Sequence, residues 1–262
     1  MGSYDFILDG ISFSYSAISG YNTCPYSYKL SYIDSLRGVN NFYGEFGTLV
    51  HRCFEKYFTG ELDAIELSQY YRNNYDSVVI TPAPAIPYGL GDKYKLQGQE
   101  FFDNFSFNKD DYDIIFVEDK IDFDVNFCAA VARPDLLLRD KKTGKTFLYD
   151  YKTATPYWQD KNTGKEKSDK KKLEGYSKQM YLYTYALRTV RKIPIDNIAM
   201  WYPRLNKIVI TPWVLEEEDA VVEWFDDTIT KIRADERFKY DNSNKYFCSQ
   251  LCGVRAASPY WK

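Results

Sequence analysis

Histidine is almost missing from this chain of 262 residues: His51 is the only one, so any imidazole chemistry is confined to that position. An excess of positive charge is missing too, since 34 Lys and Arg stand against 37 Asp and Glu for a net charge of −3. That balance excludes a protein that coats nucleic acid over its whole surface and leaves room only for a local basic groove. No apolar run approaches the length that spans a bilayer, and the start Met1-Gly2-Ser3-Tyr4-Asp5 lacks the basic and apolar regions of a signal peptide. A protein inside the cell, away from membranes, is expected. Cysteine is scarce at five, an odd number that fits reduced thiols or metal ligands better than a secreted disulfide framework. Aromatic residues, in contrast, are abundant, with 25 Tyr and 17 Phe, and most are expected to pack rather than to stack on bases. The composition, 45% hydrophobic and 27% charged, is that of a globular chain long enough for one large domain or two small ones.

The most informative stretch is Thr146-Phe147-Leu148-Tyr149-Asp150-Tyr151-Lys152, which reads as a strand. Alternation puts Leu148, Asp150 and Lys152 on one face and Tyr149 and Tyr151 on the other. Upstream, Arg133-Pro134-Asp135-Leu136-Leu137-Leu138 is a second strand candidate, and Arg139 to Lys145 between them is rich in turn formers. A turn centred between Lys142 and Thr143 sets Asp135 directly opposite Asp150, with Cβ atoms about 4.5–5.5 Å apart. Carboxylates that close repel unless one is protonated or a cation sits between them. A hard divalent ion that prefers oxygen ligands suits the pair, and Lys152 beside it is placed to stabilise phosphate charge. Taken alone, the four residues fit a solvated hairpin nearly as well.

The remaining chain supplies a scaffold. Ser14 or Ser16 caps a helix that runs through Tyr21 and Tyr28 and is broken at Cys24-Pro25. Phe46, Leu49, Val50, Cys53, Phe54 and Tyr57 form the buried stripe of a second helix, with His51 at its border. Helices are expected over 62–75 and 96–105, separated by a proline-rich loop from Thr81 to Gly89. Strands are expected at Tyr112–Val117 and, from its period-two pattern, as one strand over Ile121–Ala129. Glu118 between them is expected to be a solvated turn carboxylate, with an additional metal ligand as the alternative reading. Residues Thr153 to Tyr176 read as a polar loop with Lys161, Lys165, Lys167, Lys170, Lys171 and Lys172, close enough to the site to touch phosphates. A helix over 176–190 carries Gln179 and Tyr183 one turn apart, two strands follow at 198–202 and 208–210, and an amphipathic helix covers about 216–234.

Pro134-Asp135 followed by Asp150-x-Lys152 resembles the signature of the PD-(D/E)XK nuclease superfamily. The order of His51, Asp135, Asp150-x-Lys152 and Gln179-x-x-x-Tyr183 is similar to its RecB-type exonuclease branch, related to CRISPR-adaptation and phage exonucleases, over nearly the whole chain. The resemblance implies an α/β (α+β) fold: a restriction-endonuclease-like mixed β-sheet core flanked by helices, with an N-terminal helical region and a helical insert. It also implies a single nuclease domain over 1–262, with the insert at about 61–107, the core at about 108–213, and a C-terminal helix and cysteine-containing tail at 214–262. By the same resemblance His51, Asp135, Asp150 and the Tyr151 carbonyl are ligands of Mg²⁺ or Mn²⁺. Lys152 is the catalytic lysine, and Gln179 and Tyr183 organise the site. The implied protein is a metal-dependent DNA exonuclease, acting on DNA ends or single strands in the cytoplasm of a prokaryotic or phage-infected cell, with a helicase or recombinase as the analogous partner. The competing reading is a catalytically silent nuclease fold that binds DNA or a partner. Many members of the branch hold a [4Fe-4S] cluster, and Cys24, Cys248 and Cys252 match three of its ligands. Ser258 stands where the fourth cysteine is expected, so the site is either a cluster or a degenerate remnant filled by side chains.

Overall fold

The computed structural model describes residues 4–160 and 162–261. The leader reading at Met1 to Ser3 and the loop lysine Lys161 lie outside the described residues. The chain opens with a short helix α1 (Asp5–Asp9) and a two-residue strand β1 (Phe13–Ser14). Ser14 then caps α2 (Tyr15–Thr23), its side chain accepting from the Ala17 amide at 3.1 Å. The helix breaks at Cys24-Pro25, where proline opens α3 (Pro25–Tyr28) and the Cys24 thiol caps it. Next comes α4 (Phe42–Phe58), capped by Asn41, with Phe46, Leu49, Val50, Cys53 and Phe54 fully buried along one stripe.

The stretch read as a helical insert forms α5 (Ala64–Val78) and α6 (Leu90–Asp103), both longer than the sequence pattern suggests. Buried Glu45 of α4 accepts from the Thr81 amide and hydroxyl and so pins the loop that joins them. The strands follow: β2 (Tyr112–Val117), β3 (Ile121–Val125), β4 (Cys128–Ala132), β5 (Leu136–Asp140) and β6 (Thr146–Tyr151). The single strand expected over Ile121–Ala129 is instead a hairpin. Asn126 and Phe127 take φ of 45° and 67° and fold β3 back on β4, a two-residue turn that the unbroken alternation concealed. The polar stretch after Lys152 is likewise not a plain loop: it contains the small hairpin β7 (Tyr157–Gln159) and β8 (Glu166–Ser168), and α7 (Lys170–Ala186) begins six residues before the expected Tyr176. Asp169 supplies the reason, capping α7 by accepting from the Lys172 amide. Strands β9 (Asn197–Tyr202) and β10 (Lys207–Pro212) and helix α8 (Leu215–Ala234) follow, and the tail beyond them holds short helical turns at Phe247–Leu251 and Arg255–Ala257.

The central sheet has the order β10-β9-β6-β5-β2, with β6 and β9 parallel and the other neighbours antiparallel. Its two faces feed separate cores. Leu137, Leu148 and Ile198 meet α7 and α8, while Leu136, Leu138, Tyr149, Tyr151 and Trp201 meet the helices α4 to α6. A second sheet, β1-β4-β3, packs on the first of these cores. This mixed sheet between helical layers is the restriction-endonuclease-like arrangement that the sequence implies. No helix among the described residues is long and apolar enough to cross a membrane.

Candidate active site

The hairpin register is the one the turn implies: Leu136 pairs with Tyr149, which sets Asp135 opposite Asp150 at the end of the ladder. On the other side of β5 a β-bulge intervenes. Ile114 pairs with Leu138 but Phe116 pairs with Leu137, so one extra residue of β2 is absorbed between them. Past the bulge Val117 pairs with Leu136, and the Glu118 amide donates to the Asp135 carbonyl at 2.8 Å. Without the extra residue Val117 would face Asp135. With it, Glu118, Asp135 and Asp150 stand side by side at one end of three adjacent strands. Glu118 holds φ at 51°, a left-handed conformation a side chain adopts at a cost of roughly 1 kcal/mol, here at the turn leaving β2.

His51 closes the group from α4. Its Nδ1 lies 3.4 Å from Glu118 Oε1 and 3.6 Å from Asp135 Oδ1, and its Nε2 lies 3.0 Å from the Tyr151 carbonyl oxygen. Ligand atoms of His51, Glu118 and Asp135 all lie within 4.8 Å of one another. Glu118, expected as a solvated turn carboxylate with a ligand role as the alternative, therefore belongs to the cluster, and no sequence signal marks the bulge in β2 that brings it there. Asp150 is adjacent but outside that compact trio. Its buried Oδ2 sits 2.6 Å from Lys152 Nζ as an ion pair, without a directed hydrogen bond. Asp135 is buried and its Oδ2 accepts from the Tyr151 amide at 2.7 Å. The Tyr151 ring turns to the opposite face and stacks on Phe54 at 3.9 Å, which locks the backbone between the two carboxylates.

The electrostatics ask for a cation. Burial raises the Asp135 carboxyl well above the usual carboxylate range, against the charge of His51, with Asp150 adding to the rise. Burial opposes charge on His51 as well, yet Asp135 and Glu118 together hold its imidazole up to about 9. Without a metal the imidazolium is the cation that the carboxylates have gathered. Nitrogen and oxygen donors with an under-bonded buried carboxylate oxygen fit a divalent ion such as Mg²⁺ or Mn²⁺.

Lys152 is fixed from α7. Its ammonium donates to Gln179 Oε1 at 2.6 Å, and Gln179 Nε2 donates to the Tyr183 hydroxyl oxygen at 2.7 Å. Tyr176, which no sequence motif marks, lies on the same helical face: its ring sits 4.9 Å from Lys152 Nζ and its hydroxyl donates to the Ala154 carbonyl at 3.2 Å. His51 and Glu118 face an open cleft of about 580 Å³ that Gly44, Gly47, Arg52 and Thr153 also line.

A model of the PD-(D/E)XK nuclease superfamily matches residues 12–257. The chain belongs to the PD-(D/E)XK nuclease superfamily. Among solved structures, a presumptive exonuclease from Eubacterium rectale aligns over 100% of this chain and 94% of its own, with 12% identity and a TM-score of 0.50, a likeness of fold alone. The crystal structure of SSO0001 aligns over 94% of this chain and 95% of its own at 16% identity, with a TM-score of 0.32 that carries no argument. No curated protein matches the sequence.

This nuclease chain has a second gathering of metal-ligand residues in a separate pocket. Cys24, Cys248, Cys252 and Ser258 line one pocket with Ser27, Tyr240 and Arg255. Their surroundings are occupied: Ser27 Oγ lies 3.4 Å from Cys252 Sγ, Cys248 Sγ donates to the Asp241 carbonyl at 3.6 Å, and Tyr240 stacks on Tyr260 at 4.7 Å. The cavity among them is about 20 Å³, room for a single water. Three thiols, a hydroxyl and a cavity of that size do not fit a cluster of four irons that takes four thiolates. Cys53 and Cys128 lie elsewhere, Cys53 on the buried face of α4 and Cys128 on β4.

Proposed function

We propose that the protein is a divalent-metal-dependent deoxyribonuclease, an exonuclease that hydrolyses phosphodiester bonds at DNA ends or in single strands. The observation that carries the reading is the row Glu118, Asp135 and Asp150 across three strands, with His51 above it and a lysine aimed at it from the same strand end. His51, Glu118 and Asp135, with Asp150 and the Tyr151 carbonyl beside them, would hold Mg²⁺ or Mn²⁺. When bound, such an ion supplies Lewis-acid polarisation of a phosphoryl oxygen and activation of water.

The chain's own groups do the rest. Lys152 stabilises the negative charge that grows on the phosphate oxygens, and its placement is preorganised by Gln179 and Tyr183. Burial holds the Tyr183 phenol above its ordinary range, with the Asp150 charge acting in the same direction, so Tyr183 stays neutral beside Gln179. Gly44 and Gly47 leave two positions on the cleft edge of α4 without a side chain, which opens its backbone to a strand there. The similar fold of the Eubacterium rectale protein adds to the exonuclease reading. On this reading the cysteine pocket is a packed clasp without a cluster.

End-labelled single- and double-stranded DNA incubated with the protein and Mn²⁺ tests the proposal. The wild type is expected to shorten the DNA and Lys152→Ala to leave it whole. If both leave DNA intact while both retard it on a gel, the protein is a silent binder and the enzyme reading is wrong.

A further inference from the structure

The polar partners of Lys152 leave its head incompletely fixed. Asp150 Oδ2 lies 2.6 Å from the ammonium as an ion pair without a directed hydrogen bond, and Gln179 Oε1 accepts one N–H. A lysine ammonium carries three donors on a flexible four-carbon stem, so one directed bond and one undirected charge contact allow it to pivot. Yet the Lys152 side chain is only 13% exposed, so other groups must cover it.

Tyr176 is such a group. Lys152 Nζ lies over its ring, 4.9 Å from the centroid, within the range at which the negative face of an aromatic ring attracts a cation. The ring is held from two sides. Its hydroxyl donates to the Ala154 carbonyl at 3.2 Å, two residues beyond Lys152, which ties it to the backbone whose lysine it covers. Its own backbone belongs to α7, three residues before Gln179 and seven before Tyr183, spacings that put all three on one helical face. The Tyr202 ring at the end of β9 lies beside it, with centroids 6.4 Å apart. Beneath the side chain, the Lys152 amide donates to the Trp201 carbonyl at 2.8 Å, which fixes the strand end to β9. A ring so anchored takes contact area that water would otherwise fill, and a fixed, poorly hydrated cation stabilises growing charge without reorganising.

We propose that Tyr176 is a positioning residue for Lys152: its ring face holds the ammonium in place for turnover and does not bind the substrate. The effect on turnover rests on the nuclease reading, whereas the hold on the lysine does not.

The test pairs kcat and KM on DNA in Mn²⁺ with acylation of lysine amines in EDTA, read peptide by peptide by mass spectrometry. Tyr176→Leu is expected to lower kcat about tenfold, the size of a well-covered cation–π contact, with KM near the wild-type value. The same variant is expected to raise the acylation rate of Lys152 several-fold. Tyr176→Phe keeps the ring and is expected to restore both. Tyr176→Met keeps much of the volume without the ring and carries the test should Tyr176→Leu fail to fold. Tyr185→Leu removes another ring from α7, one that packs on Phe123 at 6.0 Å. It is expected to lower Tm while kcat and the labelling of Lys152 hold. An equal fall in kcat for Tyr185→Leu or Tyr176→Phe overturns the positioning role. If the wild type cleaves DNA and kcat is unchanged in Tyr176→Leu, this inference alone is wrong. If the labelling rises in Tyr176→Leu and returns in Tyr176→Phe but the wild type never cleaves, the hold on Lys152 stands and the nuclease reading falls.

Discussion

Two places in this molecule collect metal-ligand residues from distant parts of the chain, and they are built on opposite terms. At the end of the central sheet, carboxylates and a histidine face one another with charge left over: Asp135 is held above its normal range by burial, and Asp150 keeps a buried oxygen without a hydrogen bond. In the cysteine pocket the thiols are bonded to a serine and a backbone carbonyl and enclosed by tyrosine rings. The first site is electrostatically incomplete and the second is packed. Proximity of ligand-type residues is therefore weak evidence for a metal, whereas unsatisfied buried charge is strong evidence.

The largest effect that can test this contrast is on catalysis. Lys152→Ala or Asp135→Asn is expected to reduce cleavage by roughly 10²–10³-fold or more. Cys24→Ala and Cys252→Ala are expected to stay within a few-fold of wild type, and the purified protein to be colourless with no bound iron or sulfide. Iron at four per chain, with visible absorbance lost in Cys24→Ala, would break the contrast outright.

Metal binding comes next. Mn²⁺ at 100 times its Kd is expected to stabilise the folded state by about 2.7 kcal/mol, read as a rise in Tm. Asp135→Asn is expected to lose that rise, while Cys252→Ala keeps it.

The clasp itself is tested at Gly253, where a Cβ would meet the Val39 carbonyl oxygen at 2.9 Å. The Val39 amide donates to the Gly253 carbonyl at 2.9 Å, and the Tyr43 and Tyr246 hydroxyls are hydrogen-bonded, so the tail braces the loop that leads into α4. Gly253→Ala is expected to destabilise by about 1–3 kcal/mol in denaturant melts through overpacking, with metal affinity nearly intact.

The smallest effect is on pH. His51 is held up to about 9 in the folded chain, so its favourable interaction is complete below its unfolded value near 6.5 and is lost as pH rises through 9. Metal-free wild type should lose on the order of 1 kcal/mol more than His51→Gln over that range, a discount for solvent included. Asp135 acts in the same direction at lower pH, since a carboxyl raised by burial loses stability as it ionises. Saturating Mn²⁺ should flatten the wild-type profile, and equal pH profiles for the two metal-free proteins would show that His51 is not paired as described.

Much of the fold is legible because local rules decide it. The buried stripe of α4, the hairpin from Asp135 to Asp150 and the cap at Ser14 all follow from periodicity and turn chemistry over a few residues. The β3–β4 hairpin and the early start of α7 are less legible. One turns on Asn126-Phe127 adopting left-handed φ without glycine, and the other on an aspartate cap inside a lysine-rich run.

The sequence by itself determined which side chains share a face: Asp150 with Lys152, Asp135 opposite them, and Gln179 one turn from Tyr183. Each of these is set by the period of one strand or helix, or by one turn. Only the tertiary structure decided that Glu118 joins the acidic row and that Arg204 reaches the Thr153 carbonyl. The first depends on a bulge that advances β2 by one residue, and the second on the turn between β9 and β10 coming next to the end of β6, 51 residues away in sequence. Periodicity fixes neighbours along an element, but register between elements is set by packing across the whole sheet, and that is where this site acquires its third carboxylate.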